Sequence, residues 1–182
     1  MESKEEKIIE MFFNSSTREW HFEEILKEAK IARSKASMWL KKFVRSGIVK
    51  RFKENGKMPY YMSNYEHSEY KSRKRIFALN KLSESGFIGH LFSLKKADAV
   101  ILFGSLSRSD WHKDSDIDIF IYGDEEGLKI ADYELKLKRD VQLFVCRNKE
   151  ELSKLGDGLI KNIIKGDLIK GNIDFIKVGI NA

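Results

Sequence analysis

Between Val100 and Tyr122 the chain reads VILFGSLSRSDWHKDSDIDIFIY. An apolar run, Val100-Ile101-Leu102-Phe103, stops at Gly104-Ser105. Ten residues separate Ser105 from Asp116, and Asp116 and Asp118 flank Ile117 at the entrance to a second apolar run, Ile119-Phe120-Ile121. Few folds accept two carboxylates at the mouth of an otherwise apolar strand. Strand side chains alternate between faces, so Asp116 and Asp118 share one face while Ile117 and Ile119 take the other. Two carboxylates on one face repel, and burying them is expensive unless a cation accompanies them.

A small hard cation such as Mg²⁺ suits that pair, because it combines a few carboxylate oxygens with phosphate oxygens. Gly104 permits a tight turn and a close approach of backbone to phosphate. A helix opening at Ser105 turns its free N–H groups and the Ser105 hydroxyl toward the same anion. Asp140 begins a further apolar run, Val141-Gln142-Leu143-Phe144-Val145, and an adjacent strand would bring it beside the other two carboxylates. Asp-x-Asp alone is common in turns, and Asp110 and Asp114 read as solvated turn residues. The ordered combination is much rarer, and it describes a place for a nucleoside triphosphate and a divalent metal.

Gly104-Ser105, then Asp116-Ile117-Asp118, then Asp140 resembles the polymerase-β-type nucleotidyltransferase superfamily, in particular its minimal branch. The resemblance runs from about Phe87 onward, roughly half the chain. It implies that Asp116 and Asp118 are shared ligands of both metal ions and that Asp140 joins the ion that activates the attacking hydroxyl. It further implies that Gly104 and Ser105 hold the triphosphate and that Arg108 neutralises phosphate charge. The implied cofactor is Mg²⁺ or Mn²⁺, and the implied substrate is an NTP, with ATP the first expectation. Two positions depart from the family's pattern. Ser109 stands where many members carry Gly, and Asp140 follows the charged Arg139 rather than an apolar residue.

The basic charge is concentrated in the first third of the chain. The net charge is +6 over 182 residues, and residues 30–57 hold ten Lys/Arg against one acidic residue, Glu54. Such an excess suits an anionic polymer. Ser3 and Glu6 form a capping box ahead of a helix carrying Ile8, Ile9, Phe12 and Phe13, which Asn14-Ser15-Ser16-Thr17 ends. Phe22, Ile25, Leu26 and Ala29 mark a second helix. Ala36, Trp39, Leu40 and Phe43 mark a third, with Trp39 a core anchor and Gly47 the stop. Two short strands, Ile48–Lys53 and Met58–Met62, flank Asn55-Gly56, a hairpin signal, and Pro59 suits an edge strand.

This pattern over residues 1–63 resembles the winged helix-turn-helix superfamily of DNA-binding domains. The resemblance implies a third helix in the major groove and a wing on the backbone. Ser34, Lys35, Ser37, Lys41 and Lys42 are the helix candidates. Arg51, Lys53 and Lys57, together with Lys50, are the wing candidates for phosphates. Winged helices also serve as protein-docking modules.

Asn64 is expected to cap a connecting helix that runs to about Leu82, with Lys71–Arg75 on a solvated face rather than extending the basic surface. Phe87, Ile88, Leu91 and Phe92 predict another helix, and Gly127–Lys138 a crossover helix. The tail from Glu150 reads as helical to about Lys165, with a short segment near Ile173–Val178. The single cysteine, Cys146, excludes an internal disulfide framework and reads as a core residue. None of the four histidines has zinc spacing, although His112 falls in the loop between the Gly-Ser pair and the carboxylates. The first residues are too charged for a signal peptide and no apolar run approaches a membrane span, so no membrane partner is expected and the cytoplasm is the default location.

The expected fold is α/β (α+β). It comprises a winged helix-turn-helix over residues 1–63, a connecting helix over 64–84, and a small nucleotidyltransferase domain over 85–182 whose mixed β-sheet is flanked by helices. The expected activity is Mg²⁺-dependent transfer of a nucleoside monophosphate from NTP to a hydroxyl. The expected partners are double-stranded DNA, a protein acceptor of the toxin kind, and a second copy of the chain as a homodimer. The alternative is a DNA-binding transcriptional regulator whose nucleotidyltransferase domain senses nucleotide or mediates assembly.

Overall fold

The computed structural model describes residues 3–176. The chain divides into two compact units, one formed by Met1–Lys74 with Trp111–Lys113 and the other by Arg75–Asp110 with Asp114–Ala182.

In the first unit the capping box forms as the spacing requires. Glu6 N donates to Ser3 Oγ and Ser3 N to Glu6 Oε2, which fixes the start of α1 (Lys4–Asn14). The helix buries Ile8, Ile9, Phe12 and Phe13. A two-residue strand, β1 (Trp20–His21), leads into α2 (Phe22–Ala29), and α3 (Arg33–Arg45) follows. Gly47 then takes φ 76°, a conformation that favours glycine just past a helix end. β2 (Val49–Phe52) and β3 (Tyr60–Ser63) complete an antiparallel sheet in the order β1-β3-β2.

Several expectations for this unit are corrected. β3 is the central strand, not an edge, because the unforeseen β1 pairs Trp20 with Tyr61 and His21 with Tyr60. Pro59 has no N–H to give a ladder, and it lies just before β3. The hairpin loop spans residues 53–59, longer than the residues 54–57 left between the expected strands. Phe52 pairs with Tyr60, and a turn within the loop is closed by Lys57 N on Glu54 O with Gly56 at φ 76°. Trp39 is not a core anchor. The buried stripe of α3 is Ala36, Leu40 and Phe43, while Trp39 is half-exposed with the Lys42 ammonium over its ring.

The connecting helix α4 begins at Ser68 and ends at Glu84. Asn64 does not cap it; its side chain donates to Gly47 O and its N–H to Ile48 O. Lys74 is not on a solvated face. It is 1 % exposed and donates to Trp111 O, Ser16 Oγ and Tyr70 OH, with the Trp111 ring 4.6 Å away. Trp111 and Lys113 thereby belong to the first unit, where Trp111 also meets Phe13 and Lys113 N donates to Asn14 O. His112 lies in a loop, as expected, and is exposed between these two anchored residues.

The second unit contains the rest of α4 and then α5 (Phe87–Ser93), β4 (Ala97–Phe103), α6 (Gly104–Arg108), β5 (Ile117–Gly123), α7 (Ile130–Leu137), β6 (Val141–Cys146), α8 (Lys149–Ser153), α9 (Asp157–Ile164) and β7 (Asp167–Lys170). The sheet order is β6-β5-β4-β7. β5 and β6 are parallel, with α7 as the crossover, and β4 runs antiparallel to both β5 and β7. Two elements of the tail differ from expectation: a break separates α8 from α9, and residues 167–170 add an edge strand. Of the short segment expected at Ile173–Val178, residues 177 and 178 lie outside the described residues.

Val100, Ile101, Leu102 and Phe103 are all buried, so β4 is covered on both faces and reads as a continuous apolar run. On one face Ile101, Phe103, Phe120 and Cys146 pack with Leu152 of α8 and Ile163 of α9. Elsewhere in this unit the Phe87 and Tyr133 rings, 4.8 Å apart, join α5 to α7. No helix of the described residues is long and apolar enough to cross a membrane.

Candidate active site

The topology of the second sheet brings the conspicuous residues to one end. β5 and β6 start at that end because they are parallel, and β4 finishes there because it is antiparallel to β5. Phe103 pairs with Asp118, and Ile117 with Val141. Gly104 therefore follows the last residue of β4, while Asp116 and Asp140 each precede the first residue of their strands. Strand alternation puts Asp116 and Asp118 on one face, and the register carries Asp140 alongside Asp116 on that face.

Gly104 makes the join from β4 to α6 with φ 73°. A Cβ at this position would overlap the Asp118 carboxylate, lying 2.7 Å from its Cγ and 3.1 Å from its Cβ. Glycine lets the turn pass over this carboxylate without displacing it. Ser105 occupies the first turn of α6, and its carbonyl accepts from Asp110 N at 3.2 Å. Ser109 closes the helix at φ 65°, which accounts for the glycine expected there. Arg108 pairs through Nε with Asp110 at 3.0 Å.

Asp118 is half-buried, and its carboxyl is held above the usual carboxylate range. Desolvation is the main cause, and the charge of Asp116 adds to it. The Arg108 guanidinium opposes both. Asp116 and Asp140 are exposed. Two hard carboxylates whose mutual repulsion is only partly offset by an arginine form a donor set that suits a divalent cation. Asp140 enters through register; among the described residues no three His, Cys, Asp or Glu side chains gather closely enough to hold a metal ion.

Two further residues bear on Asp140, and the sequence reading gave neither a role. Arg139 Nη1 donates to Ser115 O at 2.7 Å, and Glu134 of α7 accepts from Val141 N at 3.0 Å. The only signal for Arg139 was its charge at a position where the family pattern is apolar.

The basic candidates of the first unit fall into two groups. Ser34, Lys35, Lys41, Arg51 and Lys53 are exposed, and Ser37 is half-buried. Lys42 is paired with Glu5 at 2.9 Å, and Lys57 with Glu54 at 2.6 Å. Arg51 also lines a cavity of about 460 Å³ together with Phe22, Arg33, Met58 and Tyr61.

A family model described as polymerase beta, nucleotidyltransferase matches residues 88–174. The matched segment contains the Gly-Ser turn, all three carboxylates and the whole four-stranded sheet. It supports the nucleotidyltransferase superfamily for this part of the chain, and nucleotidyl transfer as its general chemistry. No curated protein matches the chain.

Proposed function

We propose that the chain transfers a nucleoside monophosphate from an NTP, ATP foremost, to a hydroxyl of a protein or other acceptor, and that its first unit binds duplex DNA as a winged helix. One observation carries the catalytic part: the strand register delivers Gly104, Asp116, Asp118 and Asp140 to the same end of one sheet. In the reaction the acceptor oxygen bonds to the α-phosphorus, the bond to the bridging oxygen breaks, and pyrophosphate leaves. Asp116 and Asp118 would hold Mg²⁺ or Mn²⁺ with Asp140 beside them. When bound, the metal supplies charge neutralisation on the phosphates and a more acidic acceptor hydroxyl. Ser105 and the first-turn N–H groups of α6 face the phosphates, and Arg108 adds positive charge by exchanging Asp110 for a phosphate oxygen.

The test is incubation of the whole chain with Mg²⁺ and each labelled NTP, with and without candidate acceptor proteins. Labelled acceptor or released pyrophosphate is expected, and Asp116→Asn should abolish it. Turnover that survives Asp116→Asn would end the catalytic assignment.

The DNA reading is favoured by exposed cations that carry no ion pair among the described residues: Lys35 and Lys41 on α3, Arg51 on β2 and Lys53 after it. Phosphate neutralisation releases counterions, so affinity falls steeply with salt. Charge removal at Arg51 and Lys53 should flatten the salt slope more than removal at Lys42 and Lys57, which are already paired. Fluorescence anisotropy on genomic fragments at two salt concentrations checks this. DNA binding without nucleotidyl transfer to any acceptor would favour a transcriptional regulator that senses nucleotide. The absence of binding at low salt would make the first unit a protein-docking module.

A further inference from the structure

We propose that Arg139 is a positioning residue that fixes Asp140 relative to Asp116 and Asp118. This rests on reading those carboxylates as metal ligands. The β5–β6 ladder begins at Ile117 and Val141, so Asp116 and Asp140 lie one residue beyond its last pair. Strand ends fray, and ligands placed there need a tie of their own. Ile117 N donates to Asp140 O at 2.9 Å, which is the outermost backbone link between the two strands among the described residues. Arg139 reaches past it to the carbonyl of Ser115, the residue before Asp116. On the other side of Asp140, Glu134 holds Val141 N.

The backbone of Asp140 is thus clamped before and after, while its exposed carboxylate has no partner among the described residues. An acceptor-rich side chain held in place but left without a partner is the arrangement a metal ligand needs. An apolar residue at 139 could pack but could not reach a carbonyl. Arginine can, because its donors sit at the end of a long stem in a planar fork. Groups that orient a ligand are commonly worth about 10–100-fold in metal affinity.

The experiment is a Mn²⁺ titration of the whole chain, read by the electron paramagnetic resonance of free Mn²⁺, in parallel with NTP turnover. Arg139→Met should weaken Mn²⁺ binding by roughly 10–100-fold and lower kcat with little change in KM for NTP. Arg139→Lys keeps a donor and should recover much of the loss; it also serves as the folded comparison if the Met variant misfolds by circular dichroism. In an Asp140→Asn background, Arg139→Met should change Mn²⁺ binding no further. Wild-type Mn²⁺ affinity in Arg139→Met, or an equal loss in both backgrounds, overturns the positioning role while leaving the site intact. Failure of the wild-type chain to bind Mn²⁺, or binding indifferent to Asp116→Asn, overturns the metal-site reading and this role with it.

Discussion

Gly104→Ala separates two demands that meet at one atom position. The backbone there has φ 73°, and an L residue in that region costs about 1–2 kcal/mol. The added methyl also overlaps the Asp118 carboxylate, 2.7 Å from Cγ, so that side chain must leave its rotamer at a cost of ~0.5–1.5 kcal/mol. The total is roughly 1.5–3.5 kcal/mol, and for a chain of this size each kcal/mol lowers Tm by about 2–4 °C. Gly86 supplies the control, because its φ is 84° but a Cβ there meets nothing within 4 Å. Gly86→Ala should show the backbone strain alone. Thermal melts of both variants should therefore differ, with Gly104→Ala the lower, and only Gly104→Ala should lose NTP affinity by calorimetry. Asp118→Ala removes the obstructing carboxylate, so in that background the excess penalty at Gly104 should disappear. If the excess persists, or if Gly104→Ala binds NTP as the wild type does, the idea that glycine is required to clear this carboxylate is wrong.

Asp118→Asn should stabilise the fold at pH 7. The folded-state carboxyl is held above its usual value, so stability falls as pH rises from the ordinary carboxylate range through the raised value. The advantage should vanish below about pH 4, where Asp118 is itself protonated; urea titrations at both pH values would show it. Added Mg²⁺ should raise Tm of the wild type and not of Asp118→Asn, because a ligand stabilises only the state that binds it. Lys74→Ala should cost ~2–4 kcal/mol by loss of buried stem and donor, and Lys74→Met less, measured by chemical denaturation.

The parts of the fold that were legible share one property: their signal is local. The alternation around Ile117 fixes the face of Asp116 and Asp118, and the run before Gly104 reads directly as a buried strand. The capping box at Ser3 and Glu6 is likewise contained within a single turn. The missed elements owe their existence to distant partners. β1 has two residues and becomes a strand only because β3 runs beside it. Asp167–Lys170 reads polar, apolar, apolar, polar, so no alternation announces β7, which is defined by pairing with β4. Lys74 sits in a basic run that looks solvated, and it is buried because Trp111, 37 positions later, supplies a carbonyl and an aromatic face. Trp39 matched the helical stripe but lies at its margin, where Lys42 covers it.

The packing around Gly104 would tolerate asparagine in place of Asp118. Asparagine has nearly the same shape, would fit beneath the same turn, and would escape both the desolvation and the repulsion from Asp116 that raise the carboxyl. It could also donate a hydrogen bond, which the ionised carboxylate cannot. The fold alone therefore gives no reason for an aspartate at this position, and electrostatics gives a reason against it. Arg108 offsets the charge only in part and is drawn away by Asp110. A divalent cation held as proposed above would reverse the balance, turning the repelling pair into a chelating one. The proposed cation would account for the aspartate at position 118, which the packing alone does not require.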